Sequence, residues 1–343
     1  MNYLKKNRFF YNINQECSYI INGDDLFIST ERGLFIYSLK NDKLETLINK
    51  KIYWFSILKK QVIYQLENGG DLFGLWNNNK KEGKYYLSSS ILFDDNALIL
   101  DKKNENTKLY ETILLYQDLS VKTINLTYFP DKIIDNNTYT YIALNTLFIY
   151  TFNNELLWQH SFSDLFETEQ GAEFIFQNGN IIIHNGKLFF SLFENNRHYN
   201  TATFAIEIET GKVVNMYKGF AGNLTLFNNK IAVAVNEELR ILNLDNNEIT
   251  TRTFSFLKEK NITIGWNDFQ ISEDEKLYFI GNDHKQGTHF GIIDLQKDEL
   301  LWLHSPNKND KTCKVSIRDF KISDNRVFLH YSDNTLHIFE EEK

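Results

Sequence analysis

Residues 185–219 read NGKLFFSLFENNRHYNTATFAIEIETGKVVNMYKG. Asn185-Gly186 is a tight-turn pair, since both residue types tolerate positive φ. Lys187–Phe193 is an apolar strand and Glu194–Thr201 a polar loop. Ala202–Ile208 alternates with period two, the sign of a strand with one face buried. Glu209-Thr210-Gly211-Lys212 turns the chain into a third strand, Val213–Tyr217. The stretch is one antiparallel unit, and the rest of the chain reads as worn copies of it.

The copies are found from the second strand of each unit, a turn followed by an aliphatic–aromatic–aliphatic run. Such runs start at Leu26, Val62, Leu98, Tyr139, Leu188, Ile231, Leu277 and Val327. Successive starts lie 36 to 50 residues apart, with a mean of 43. A further strand precedes each run, as in Tyr19–Asn22, Phe269–Ser272 and Phe320–Ser323. Third strands follow, including Lys84–Ser88 in the second unit, Glu155–His160 in the fourth and Glu299–His304 in the seventh. Helical periodicity is confined to Asp164–Gln170 and, more weakly, Phe256–Lys260.

Four strands recurring at about 40–45 residues is the WD40-like period of a β-propeller blade. The last unit lacks an outer strand before Lys343, and Arg8–Ile13 (RFFYNI) is expected to supply it. Closure of this kind removes two free sheet edges. The expectation is an all-β chain forming a single propeller domain over residues 1–343, with eight four-stranded blades. Seven blades is the runner-up, because Ser88–Ile91 leaves almost no connector between the second and third units.

Ala205–Gly219 (AIEIETGKVVNMYKG) resembles the tryptophan-docking repeat of the quinoprotein, or PQQ-like, propellers. In that family a Thr-Gly-Lys turn leads into a strand carrying Trp. Here Thr210-Gly211-Lys212 match, and Asn215 stands where Trp is usual. Asn153–Ser161 (NNELLWQHS) and Lys297–Ser305 (KDELLWLHS) keep the Trp, as Trp158 and Trp302. The resemblance implies the fold. It does not carry over the family's quinone chemistry, because adjacent cysteines, a calcium site and a secretion signal are not found. Nor does the lipid anchor of its membrane-assembly scaffolds have a counterpart here.

Composition narrows the function classes. Aromatic residues make up 15% of the chain, with 28 Phe and 18 Tyr, and their flat bulk favours pleated surfaces. A formal charge of −8 without a basic run disfavours nucleic acid, whose binders need a concentrated positive face. No stretch approaches the roughly 18 apolar residues of a membrane span. Cys17 and Cys313, in no ligand-spaced pair, fit a reducing compartment. The expectation is a cytoplasmic bacterial monomer that contacts neither membrane nor nucleic acid and takes no cofactor.

Chemistry-bearing residues are scattered. Trp158 and Trp302 both occur in Trp-x-His-Ser; packing against the next blade outweighs a polar pair of His160 and His304 at a channel. His284 and His289 share the loop NDHKQGTH, but metal ligation needs several convergent ligands with outer-shell support. Asp24-Asp25, Asp94-Asp95 and Glu237-Glu238 sit in turns, where Asp and its neighbours serve turn geometry. No nucleophile elbow or phosphate loop occurs, so no catalytic or metal residue is assigned.

Loop length supplies the positional signal. With strands A to D running outward from the axis, A–B and C–D turns share one face and are mostly short. B–C and D–A connections share the other face and include Lys102–Lys108, Tyr128–Ile133, Ser163–Glu173, Glu194–Thr201, Leu257–Gly265, Asn282–Thr288 and Ser305–Lys314. Binding residues concentrate on loops held by a rigid scaffold. The candidate binding residues are therefore Tyr128, Phe129, Asp164, Phe166, Glu167, Glu169, Tyr199, Trp266, His284 and His289. Aromatic anchors among acids suit a protein interface. The expected function is a non-catalytic interaction module for another protein, in one version an acidic immunity protein covering a basic toxin. The alternative is a hydrolase, lyase or sugar-binding protein using the axial channel.

Overall fold

The computed structural model describes residues 3–10, 19–59, 61–76, 78–94, 96–104, 106–107, 109–124, 126–166, 173–176, 181–195, 201–283, 287–306 and 315–341. The strands form eight sheets, and the chain is an eight-bladed β-propeller. Blade 1 comprises Tyr19–Asn22, Asp25–Thr30, Gly33–Ser38 and Lys43–Ile48. Blade 2 comprises Trp54–Leu58, Gln61–Gln65, Leu72–Gly74 and Lys80–Lys81, and blade 3 Lys84–Asp94, Ala97–Lys103, Tyr110–Tyr116 and Val121–Thr123. Blade 4 runs Lys132–Ile133, Thr138–Ala143, Thr146–Thr151 and Leu156–Ser161. In blade 5 two short strands, Phe174–Phe176 and Ile182–His184, both pair with Lys187–Glu194, followed by Thr201–Glu207 and Val213–Lys218. Blade 6 is Thr225–Phe227, Lys230–Val235, Glu238–Asn243 and Ile249–Thr253, and blade 7 Ile262–Ile271, Lys276–Asp283, Gly287–Asp294 and Glu299–His304. Blade 8 is Ile317–Ser323, Arg326–Tyr331 and Leu336–Glu341, and its outer strand is the N-terminal Tyr3–Phe10.

The closing strand thus begins five residues before the expected Arg8–Ile13; residues 11–13 lie outside the described residues. A second correction concerns the second unit, whose expected third strand Lys84–Ser88 is instead the start of blade 3's inner strand. Tyr85 is fully buried there and pairs with Lys102 of blade 3. The true edge of blade 2 is Lys80–Lys81. Asp71 fixes that edge, accepting from the Gly83 backbone N–H at 2.9 Å and pairing with Lys80 at 2.9 Å.

The burial gradient explains the sequence pattern. Strand B of blades 1 and 8 is buried over five of six positions, because sheets cover both of its faces. The outer strand Lys43–Ile48 has four exposed positions and reads as polar. The chain divides into two compact units, one of Phe10–Tyr141 with Ile149–Leu156, the other of Met1–Phe9, Ile142–Phe148 and Leu157–Lys343. Within the first, apolar layers lie between consecutive sheets: Phe27, Leu34, Phe55 and Val62 join blades 1 and 2, and Leu58, Ile63, Tyr85 and Leu100 join blades 2 and 3. Within the second, Phe189, Ala205, Ile231 and Val233 join blades 5 and 6, and Ile280, Phe290, Leu329 and Phe339 join blades 7 and 8.

Outer strands also dock on the C–D turn of the next sheet. Trp158 Nε1 donates to Ile208 O at 2.7 Å, and His160 Nε2 is 2.6 Å from Gly211 O. Asn215, in the place where Trp is usual, donates to Asn247 Oδ1 at 3.0 Å beside Tyr217, whose hydroxyl reaches the same oxygen at 2.7 Å. Arg252 does likewise, donating to Leu295 O and Asp298 Oδ1. The docking role survives when the tryptophan does not, because any side chain with donors of the right reach can satisfy the turn's acceptors.

The helical turns form one or two residues earlier than expected. α1 is Phe162–Phe166 and α2 Ser255–Glu259. No described helix is long and apolar enough to cross a membrane.

Candidate functional site

The expected candidate residues sort by what they touch. Phe129 packs into the apolar cluster of Ala97, Ile99 and Leu114. Phe166 stacks on Phe174 at 5.3 Å and meets Phe204 edge-on at 5.2 Å. Both are packing residues. Tyr128 is 39% exposed and stacks flat on Tyr141, centroids 4.3 Å apart, with Tyr150 at 5.6 Å. Asp164 is exposed in α1, its N–H donating to Ser161 Oγ at 3.3 Å. Trp266 falls in the inner strand Ile262–Ile271. Glu167, Glu169, Tyr199 and His284 lie outside the described residues, as do Cys17 and Cys313.

His289 is buried, not loop-borne. The expected loop Asn282–Thr288 is shorter than expected, because Lys276–Asp283 and Gly287–Asp294 extend through most of it as a paired hairpin. His289 Nδ1 lies 2.7 Å from Ser305 Oγ at the end of blade 7's outer strand.

Beside Ser305 lies a cleft of about 190 Å³ lined by His304, Pro306, Val315, Tyr331, Asp333 and His337. His304 Nε2 and the Tyr331 hydroxyl share a 2.7 Å hydrogen bond. The His337 ring stacks on Tyr331 with centroids 4.1 Å apart. Thr335 Oγ1 donates to Asp333 Oδ1 at 2.6 Å, so it accepts from His337 Nε2 at 2.9 Å, and that nitrogen carries the proton. The Thr335 N–H also donates to Asp333 Oδ1, at 3.1 Å. Burial pushes the Tyr331 hydroxyl well above its ordinary pKa and keeps it a neutral phenol. The walls are held by Ser332 N to Ser316 O at 2.8 Å and Ile317 N to Thr288 Oγ1 at 2.6 Å.

Tyr331, Asp333 and His337 were not among the expected residues. Their signal lay in the repeat register, which sets the end of blade 7's outer strand beside the end of blade 8's second strand. The polar pair of His160 and His304 does not form: His160 reaches Gly211 of blade 5, His304 reaches Tyr331 of blade 8.

Two features concern the inner strands. A cavity of about 360 Å³ touches those of blades 1, 2 and 3 and is lined by Ile20, Ile21, Ile57 and Leu92, with Asn22 and Lys59. Lys59 is the one titratable group in that lining. In blade 7, Asp268 lies within the register shift between Ile264 and Phe269. Burial, and then the charge of Asp319 on the inner strand of blade 8, push its carboxyl up. Among the described residues, no three His, Cys, Asp or Glu side chains are grouped to hold a metal ion.

The most unusual surface residue is Leu144. It and Asn145 form the two-residue B–C turn of blade 4 with φ of 49° and 60°. Its side chain is 98% exposed. The Asn145 carbonyl accepts from the Phe162 N–H at 2.8 Å, which seats the turn against α1.

The chain is similar in fold to several solved propellers. BamB from Moraxella catarrhalis superposes with a TM-score of 0.54 at 9% identity, over 99% of both chains. The computationally designed Ika8 protein gives 0.56 at 8% identity, covering 96% of this chain and 98% of that one. The dihydro-heme d1 dehydrogenase NirN, in complex with DHE, gives 0.56 at 10% identity, over 84% of this chain and 66% of its own. No family model and no curated protein sequence matches the chain. At such low identity, the likenesses establish the propeller fold.

Proposed function

We propose that the protein is a single-domain, non-catalytic interaction propeller that binds a partner protein through its B–C and D–A connections. Leu144 carries the reading. A leucine in the left-handed region costs about 1–2 kcal/mol. Nothing in the described chain offsets that cost, because the side chain is almost wholly in solvent. Leu119, with φ of 64°, shows the contrast: it is 3% exposed and packs among Leu58, Ile63 and Leu115. Asn228-Asn229, with φ of 42° and 55°, shows the residues such a turn ordinarily takes. A bare apolar prong in that position is explained when a partner buries it. The exposed Asp164 adds a contact of interface type. The charge of −8 suits a basic partner, and an immunity protein covering a basic toxin is the concrete form we favour. The Thr210-Gly211-Lys212 turn and its Trp158 contact support a PQQ-like repeat ancestry, and the low cysteine count a protein working, as a monomer or otherwise, in the reducing cytoplasm.

The test is capture from a native lysate, at low and high salt, on immobilised wild type and Leu144→Asn. The expected result is one protein enriched by wild type, weakened by salt and lost with the variant. Equal capture by both, or no specific capture at either salt, overturns the reading.

A second reading, ligand binding or hydrolysis in the axial channel, draws on Asp268 and its neighbour Asp319. A carboxyl pushed up by burial beside a second acid is one half of what an acid–base pair requires. Hydrolysis of a panel of aryl glycosides and esters, abolished by Asp268→Asn, is the result that would favour it. Inactivity across the panel removes its catalytic form.

A further inference from the structure

We propose that the cleft between His304, Tyr331, Asp333 and His337 is a subsite for one guanidinium group, an arginine side chain presented by a basic partner. This rests on the interaction reading above and names the chemistry of one contact. Size is the first argument. About 190 Å³ is roughly six water volumes at ~30 Å³ each, well under the ~300–1,000 Å³ of sites for drug-sized ligands. That volume suits one side-chain head.

Charge is the second. Among the described residues of the lining, Asp333 is the only carboxylate, and there is neither Lys nor Arg. Arg318, nearby in the fold, donates to Asn334 Oδ1 at 3.1 Å. Asp333 is exposed, and its Oδ1 is fixed by two bonds from Thr335. An exposed carboxylate with one oxygen anchored is a ready acceptor for a cation.

Shape is the third. The His337 ring lies over Tyr331, tilted by 20°, and His304 meets the same hydroxyl, so the polar wall is flat, aromatic and locked. Pro306 and Val315 supply apolar contact for methylenes. A planar, weakly hydrated guanidinium fits such a wall better than a compact, strongly hydrated ammonium does. Pro306, Val315 and Asp333 also belong to the D–A and B–C connections, where a partner would approach.

The test needs no identified partner. Purified protein is titrated with N-acetyl-arginine amide, N-acetyl-lysine amide and the neutral isostere N-acetyl-citrulline amide, while the imidazole resonances of His304 and His337 are followed by NMR. The expected result is saturable shifts with the arginine compound, weaker ones with lysine and none with citrulline. Asp333→Asn keeps an acceptor for Thr335 and is expected to weaken arginine binding by about tenfold or more, the scale of a hydrogen bond to a charged group. An unchanged thermal transition for that variant shows that the fold persists. Equal binding of citrulline, or no saturable shift with arginine, overturns the subsite and leaves the capture experiment with Leu144→Asn standing on its own.

Discussion

The indole of Trp158 lies against Gly211: a β-carbon built on that glycine would stand 2.6 Å from the indole Cγ and 2.8 Å from Cδ2. Gly211 also has φ of 71°, where other residues are strained. Two independent demands therefore fall on one position of the Thr-Gly-Lys turn. Gly211→Ala is expected to destabilise the protein by about 2–4 kcal/mol, the sum of left-handed strain and overpacking. Urea denaturation measures it. Trp158→Ala in the same background should recover part of the loss, so the double-mutant cycle should show coupling above about 0.5 kcal/mol. Additive losses would mean that the two residues do not bear on each other.

Leu144 and Leu119 share a backbone conformation and differ in burial, so the same substitution should act in opposite directions. Leu144→Asn is expected to raise stability by about 0.5–1 kcal/mol, since Asn tolerates the left-handed region and no contact is lost. Leu119→Asn is expected to lower it by about 2–4 kcal/mol, because a core methyl-bearing side chain is replaced by a buried amide. Denaturant midpoints of the two variants decide the matter. A destabilising Leu144→Asn would show that the leucine serves the fold and not a partner.

The repeat was legible because propeller physics is local. Each blade needs strands of period two and a turn residue that tolerates positive φ, and Asn185-Gly186 or Asn228-Asn229 announce it directly. The register failed where geometry replaced pattern. Lys84–Ser88 has the composition of an outer strand, and the pairing and burial of Tyr85 assign it to the next sheet. The site was legible in part. The face was inferred from loop length, and His289 was named. The His304–Tyr331 contact joins residues 27 apart on different sheets, which no local pattern encodes. Phe129 and Phe166 make packing contacts that their loop positions do not announce, since an aromatic in a loop looks the same whether it points out or plugs the scaffold.

The outer strand of blade 8 comes from the other end of the chain, Tyr3–Phe10. Removing residues 1–10 exposes the edge Leu336–Glu341, four of whose six residues are buried. Unpaired edges of that length recruit other chains. The truncated protein is expected to melt at lower temperature and to associate with rising concentration, read by light scattering. A synthetic peptide of residues 1–18 added in trans should reverse both effects. A truncated protein that stays monodisperse with an unchanged transition would show that the strand contributes nothing to closure.

Asp268 gives the pH-dependent prediction. Its carboxyl is pushed above the ordinary 3.8, first by burial and then by the charge of Asp319. A carboxyl whose folded pKa is raised favours the fold while protonated, below 3.8, and that contribution is lost as pH rises through the folded value. At neutral pH the ionised group is a cost. Asp268→Asn, which removes the charge and keeps the size, should therefore be more stable than wild type at pH 7. The gain should shrink as pH falls toward 3.8, where wild type regains its proton. Chemical denaturation across that range reads the difference. A variant less stable than wild type at neutral pH would mean that the ionised carboxylate has a partner in the folded protein, and the inner strands would then be the place to look for a bound cation.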